Sequence, residues 1–244
     1  MSAPISFRGG PSFEQGQSVH GDAVLSLAAG RVHEIHCACA DRAAALSFAL
    51  TMGKWDKDGQ LFILRTSRKG KAPLVLFGEG LAPFGLKPER LTVVDAASEV
   101  DMLRACLDVV RSGAVAAALM ESEGRFSDFD LTASRRLVLA AEASGSCVML
   151  LRVDAQPQSS AAQTRWSVAS APSLPLEAQA PGHPAIHVEL LRNRGGPAGA
   201  RWRLMWDEEH GGYRDAERRE AMPGAVVSFP ALRTGAMDDQ RRSA

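Results

Sequence analysis

The chain has 244 residues, 45% of them hydrophobic, enough for one large domain with a substantial core. Lys and Arg total 28 and Asp and Glu total 28, so no global field draws the protein to nucleic acid or to an anionic membrane. No apolar run approaches the roughly 20 residues of a membrane span, and the N-terminal stretch Met1–Gly10 lacks the pattern of a signal peptide. The four cysteines, Cys37, Cys39, Cys106 and Cys147, all fall in apolar, element-like segments. That placement suits reduced thiols in a cytoplasmic protein better than a disulfide framework.

In chain order, residues 1–20 are rich in Gly, Pro, Ser and Gln and predict an N-terminal arm. A core domain is expected over 21–206, followed by a tail over 207–244 that is charged and punctuated by Pro and Gly. Within the core, Arg31–Ile35 reads as a strand, a loop of small residues follows, and a helix begins near Asp41, a good N-cap ahead of a run of alanines. Gln60–Leu64 is a buried-type strand, Arg65–Lys71 a basic loop, Gly78–Leu86 a helical turn broken by Gly85, and Leu91–Val94 a third strand. Glu99–Arg111 is amphipathic, with Val100, Leu103, Leu107 and Val110 on one stripe, Ser98 as cap and Gly113 as stop. Ala114–Met120 is a continuous apolar strand, Leu131–Ser144 a helix stopped by Gly145, and Cys147–Leu151 another buried strand. This β-α alternation with unbroken apolar strands predicts an α/β fold with a parallel sheet flanked by helices. After Asp154 the pattern changes to alternating strands at Arg165–Ser170, His187–Arg192 and Arg201–Trp206, which predict antiparallel additions at one sheet edge.

The first strand–loop–helix lies where a phosphate-binding loop sits in a nucleotide-binding fold. Such a loop needs glycines, so that backbone amides can wrap a phosphate, and then Lys-Ser/Thr for the terminal phosphates and magnesium. Here the loop is Cys37-Ala38-Cys39-Ala40-Asp41-Arg42, and Ala43 and Ala44 follow it. The frame is present without its cation or its hydroxyl.

The order of these pieces resembles the RecA-like recombinase core and, more specifically, the ImuA family. Gly30–Ile35 looks like the strand leading into the RecA phosphate loop, and Phe84–Leu86, Arg90-Leu91 and Arg111–Val115 are similar to the stretch before the second acidic motif. Leu131–Leu137, Ala140–Gly145, Thr164–Trp166 and Glu189–Pro197 look characteristically ImuA-like. The resemblance covers roughly residues 22–206. It implies a RecA-like core and a role as an SOS-induced accessory protein of mutagenic translesion DNA synthesis. The implied partners are an ImuB-type Y-family polymerase homologue, RecA and an error-prone replicative-type polymerase. Homo-oligomerisation stays open.

In the register that the resemblance sets, Ala43 stands at the phosphate-loop lysine, Ala44 at the hydroxyl and Glu121 at the metal-holding aspartate. Cys37 and Arg42 occupy glycine positions, where their side chains would crowd a phosphate, and Asp41 lies between them. The catalytic-base position falls on Glu79 or on Thr66, depending on the alignment. No catalytic residue, cofactor or metal is therefore assigned. His33, His36, Cys37 and Cys39 resemble metal ligands on paper, yet a strand would put His36 on the opposite face from the others.

RecA-like proteins hold DNA with two loops, which correspond here to Ser122–Asp130 and Asp154–Gln163. Both are short and poor in basic residues. Two basic groups, Arg65, Arg68, Lys69 and Lys71 and then Arg192, Arg194, Arg201 and Arg203, read first as solvated faces and second as places for weak or indirect DNA contact or protein contact. Trp166, Trp202 and Trp206 are read as core ahead of binding anchors. The leading expectation is a non-enzymatic scaffold; a RecA-filament regulator and a divergent nucleotide-binding switch are the alternatives.

Overall fold

A computed structural model describes residues 25–53, 55–56, 58–66 and 76–216. Arg68, Lys69, Lys71, the 1–20 arm and most of the expected tail lie outside these residues.

The parallel half of the protein alternates strand and helix in chain order. It runs β1 (Val32–Cys37), α1 (Arg42–Met52), β2 (Gln60–Thr66), α2 (Gly78–Leu81), β3 (Leu91–Ala96), α3 (Glu99–Arg111), β4 (Val115–Glu123), α4 (Leu131–Ser144) and β5 (Cys147–Val153). Four more strands follow, β6 (Thr164–Ala171), β7 (Ala185–Asn193), β8 (Arg201–Asp207) and β9 (Gly212–Asp215). They assemble into one nine-stranded sheet of order β3-β2-β4-β5-β1-β6-β7-β8-β9. Every pairing from β3 to β6 is parallel, and those from β6 to β9 are antiparallel. The expected α/β class, a mostly parallel sheet flanked by helices with antiparallel edge strands, is the one observed.

Burial follows the pairing. All six residues of β1 and all seven of β5 are buried, because helices cover both faces of the central parallel strands. In β6 every second residue from Thr164 to Val168 is buried, as in a strand with one wet face. One core cluster joins Ile35, Met149, Leu151 and Trp166 to Phe48 of α1. The other joins Val32, Val148 and Leu150 to Met102, Cys106 and Val110 of α3 and to Leu137 of α4. The α3 stripe is thus centred on Met102, Cys106 and Val110, with Leu103 and Leu107 only packed against its flank. Trp166 is fully buried and stacks near Phe48 and Trp202, as the core reading expects.

The helix signals divide. Ser98 accepts a hydrogen bond from the Asp101 amide and caps α3, and α4 ends on Gly145 at φ 77°, a left-handed conformation that glycine adopts without strain. Asp41 is a correction. It precedes α1 but caps nothing, because a 3-10 turn, Cys39–Asp41, leads into the helix and leaves Asp41 at φ −99° and ψ 6°, outside the extended cap conformation. The expected boundary at Asp207 is a second correction. The sheet continues through β9, which pairs with β8 and seats Tyr213 against Trp206. Its polar, Gly-bounded sequence hides a strand whose apolar contacts are two aromatic rings. None of the four cysteines is in a disulfide.

A polar chain runs through the middle of this apolar packing. The Trp166 indole N–H donates to Thr164 Oγ1 at 2.7 Å. His33 Nδ1 lies 2.7 Å from the same hydroxyl, and His33 Nε2 lies 3.0 Å from the Ala28 carbonyl. A carbonyl only accepts, so Nε2 carries the proton and Nδ1 accepts from Thr164. Burial lowers the His33 pKa from 6.5 to about 4, against the raising effect of the Ala28 hydrogen bond. Between those values the unfolded chain takes the proton and the folded one refuses it, so stability falls as pH drops from 6.5 towards 4. The expected loss is about 3 kcal/mol. Urea midpoints measured from pH 7.5 to 4.5 should decline along this window, and His33→Gln, which does not titrate, should flatten the slope. Equal slopes for the two proteins would refute this assignment.

Candidate functional site

The site expected from sequence lies at the C-terminal ends of the parallel strands, where β1 turns into α1. The turn is tied down by its own chain at three points. The Asp154 amide donates to the Cys37 carbonyl at 2.9 Å, and the Cys39 amide donates to Asp154 Oδ1 at 2.9 Å. The Asp41 carboxylate accepts from the Ser170 amide of β6, also at 2.9 Å. One backbone donor of the turn, the Cys39 amide, is thus turned to a carboxylate of the protein. Asp154 holds this position at φ 48°, a strained conformation for a residue other than glycine.

Arg42, the first residue of α1, closes the site. Its Nε lies 2.9 Å from Glu121 Oε1 and its Nη2 lies 3.1 Å from Glu123 Oε2. The side chains are 20%, 11% and 14% exposed, so the three charges are largely withdrawn from water. Glu121 and Glu123 share a face because they are two apart on a strand, the face covered by α1. Burial raises the Glu121 pKa; Arg42 and Arg65 pull against it, and Glu123 adds to it. Cys37 is raised to about 12, chiefly by burial, so it remains a thiol. Ala43 is exposed and Ala44 half-buried, offering neither charge nor hydroxyl at the mouth of the turn. Cys37, Asp41, Arg42 and Glu121 are therefore brought together, in a polar knot held by internal ion pairs and hydrogen bonds.

On the opposite face of the sheet lies a cluster that sequence reasoning did not find. Glu34 is wholly buried on β1 and accepts from Arg165 Nε of the neighbouring β6 at 2.6 Å. His36 Nε2 stands 3.5 Å from the same oxygen. Burial alone would raise the Glu34 pKa, but hydrogen bonds from His36, Arg165 and Ser160 outweigh it and bring it to about 2. Arg165 also donates to the Gln158 carbonyl and to Ser160 Oγ. The signal was an acidic residue and a histidine at alternate positions of an otherwise apolar strand. Their partner could be named only from the Glu34–Arg165 register between strands 131 residues apart.

The two loops that the resemblance pairs with DNA contact are folded inward. Phe126 and Phe129 are fully buried and stack on one another. Gln158 Nε2 donates to the carbonyls of both, at 3.0 and 2.9 Å, pinning the second loop to the first. Arg192 and Arg194 hold the same segment through the Ser160 and Ala161 carbonyls, at 3.0 and 2.9 Å. Arg201 pairs with Glu189 at 3.1 Å, Arg203 donates to the Pro172 carbonyl at 2.8 Å, and Arg65 pairs with Asp95 at 2.7 Å. Each described member of the two basic groups thus has a partner within the protein.

His33, His36, Cys37 and Cys39 do not converge, since His33 and Cys37 face α1 and His36 faces Glu34. Among the described residues, Asp207, Glu209 and His210 are the grouping with metal-ligand spacing, and the Arg214 guanidinium already contacts Asp207 and His210. No helix among the described residues is long and apolar enough to cross a membrane.

Fold and site together define an α/β domain with a mostly parallel sheet, in which the turn between β1 and α1 is filled by the protein's own side chains. No family model matches the chain. It is 37% identical over 160 residues to Protein ImuA of Caulobacter vibrioides strain NA1000 / CB15N, a match covering 59% of this chain and 64% of that protein. The same figures hold for Protein ImuA of strain ATCC 19089 / CIP 103742 / CB 15. The match spans under two thirds of the length of these curated relatives, and it bears out the resemblance to the ImuA family. Among solved structures, the RadB recombinase is similar over 78% of this chain and 93% of its own, with 13% identity and a TM-score of 0.48. SulA from Pseudomonas aeruginosa is similar over 50% of this chain and 97% of its own, with 17% identity and a TM-score of 0.36.

The buried Glu34–Arg165 pair generates a test. Arg165→Met leaves a carboxylate inside the sheet with only His36 and Ser160 to hold it, and should destabilise the fold by about 3 kcal/mol. Glu34→Gln in the same background should recover most of that loss. Wild type should lose this part of its stability as pH falls from 4.5 towards 2, because the folded carboxylate resists protonation there. Denaturant midpoints of the three proteins at pH 7 and pH 3.5 check this, and an unrescued double variant would refute it.

Proposed function

We propose that this chain is a non-catalytic, RecA-like accessory protein of SOS-induced mutagenic translesion DNA synthesis. It acts through protein–protein contacts, with an ImuB-type Y-family polymerase homologue as first partner and RecA and an error-prone replicative-type polymerase as further ones. The observation that carries the reading is the Arg42 guanidinium seated between Glu121 and Glu123. A nucleotide–magnesium complex entering this turn would have to displace an ion pair withdrawn from water. It would meet no lysine, no hydroxyl and no uncommitted Cys39 amide. The likeness to ImuA proteins supports the pathway assigned.

A contact role is supported by what stands outward. Leu139 of α4 is 66% exposed, and Arg135 and Arg136 are exposed on the same helix. Large apolar side chains held in water on a rigid helix are a feature of surfaces that pair with other proteins. The basic groups left as places for weak DNA or protein contact have their described members partnered within the protein, which speaks against a free basic face for nucleic acid.

Two measurements test the proposal. Titration calorimetry with ATP and magnesium should give no saturable heat at millimolar nucleotide. Saturable binding that is lost in Glu121→Ala would overturn the non-catalytic reading. Co-expression with an ImuB-type protein should yield a complex that survives gel filtration at micromolar concentration, and absence of any complex would remove the partner assignment.

A further inference from the structure

Helix α4 covers the sheet with Ser134, Leu137, Ala140 and Ala141, which lie on one side at helical spacing. The opposite side is in water. Leu131, Arg135, Leu139 and Ala143 follow one another there at intervals of four and form a single ridge. All four are exposed, Leu131 at 39% and Leu139 at 66%. The helix beneath them is fixed at both ends, capped by Asp130 through the Ala133 amide at 2.7 Å and stopped by Gly145. Its charge is one-sided. Arg135 and Arg136 stand four and three residues before Leu139, so both flank its side chain. Neither has an acidic residue three or four positions away, and among the described residues neither is joined to a carboxylate. Glu142, the acid within the helix, is taken by Arg31 at 2.6 Å. The outer face of α4 is thus an apolar ridge with two uncompensated guanidinium groups beside its most exposed leucine.

We propose that this face docks an acidic amphipathic helix of a partner protein. Leucines of that helix pack into the grooves beside the ridge, and its carboxylates take the planar forks of Arg135 and Arg136. Sign and shape disfavour other occupants. A second copy meeting this face across a two-fold axis would bring the arginine pairs of both copies together with no free acid between them. A nucleic-acid backbone would lay phosphates over Leu139, which gain nothing from an apolar side chain. This assignment rests on the protein-contact reading of the chain and adds the surface and the chemistry of the partner.

Fluorescence anisotropy of the full chain against labelled synthetic peptides tests this. The acidic peptide has about 20 residues, enough to hold a helix, with leucines at i and i+4 and glutamates beside them. A basic peptide carries lysine at each glutamate, and a scattered one has the acidic composition with its leucines spread around the helix. Wild type should bind the acidic peptide saturably below about 100 µM and ignore the basic one. The scattered peptide should bind about tenfold more weakly or worse, and Leu139→Asp should weaken the acidic peptide as much. R135E/R136E should reverse the preference, releasing the acidic peptide and binding the basic one. Both variants should melt within about 2 °C of wild type, because α4 turns these residues away from the core.

The proposal is overturned if the acidic peptide fails to bind, if the scattered peptide binds equally, or if either variant binds the acidic peptide as wild type does. It is also overturned if either variant melts well below wild type, since the residue would then be part of the packing. A wild-type dimer that Leu139→Asp converts to monomer in gel filtration would put a second copy on the face. Displacement of the acidic peptide by a single-stranded oligonucleotide at physiological salt would put nucleic acid there, and either result refutes the assignment. Absence of an ImuB-type complex is a separate outcome, which removes that partner while peptide binding still supports the α4 face. Peptide failure, in turn, removes this face and leaves the closed turn as described.

Discussion

Strands buried on both faces leave little water for a charge, and the ionised carboxylates that β1 and β4 carry are matched by arginines inside the protein. That constraint organises both sides of the sheet. On the α1 side, Arg42 answers Glu121 and Glu123. On the other, Arg165 answers Glu34, with His36 beside the same carboxylate oxygen. In each case the partner comes from a different element, so the ion pair also fixes where that element sits. Arg42 sets the start of α1 over the end of β4, and Arg165 sets β6 beside β1.

The same economy governs the loops at these strand ends. Each of the segments 124–130 and 154–163 turns its capacity for contact inward, through the buried rings of Phe126 and Phe129 and through Gln158. Arg192 and Arg194, which in sequence look like a basic surface, close over the second segment as hydrogen-bond donors to its carbonyls. Open α/β sheets commonly bind ligands beyond the carboxyl ends of their strands, and here that edge is occupied by the protein's own side chains and loops.

Much of the architecture was legible in the chain. Unbroken apolar runs at Ala114–Met120 and Cys147–Leu151 can only be strands covered on both faces, and Ser98 and Gly145 mark helix ends through local chemistry that needs no distant partner. Asp41 failed as a cap because its carboxylate is claimed by Ser170, a residue 129 positions away. The strand at Gly212–Asp215 was missed because four residues bounded by glycine carry no periodicity, and pairing with β8 alone makes them extended. The alanines at 43 and 44 were legible too, but the ion pairs that Arg42 makes beside them were not.

By itself the sequence determined the class of the sheet, the succession of strands and helices in its parallel half, the alanines at 43 and 44, and the likeness to ImuA, since each is written in neighbouring residues and their spacing. Only the tertiary structure decided what the charged residues do. A side chain's charge is local, but its partner is chosen by strand register and by the crossing of elements far apart in the chain. Arg42 could face solvent or pair with carboxylates of β4, and Arg192 could reach out or fold back. The choice was made where 81 residues of separation collapse to a contact of 3.1 Å.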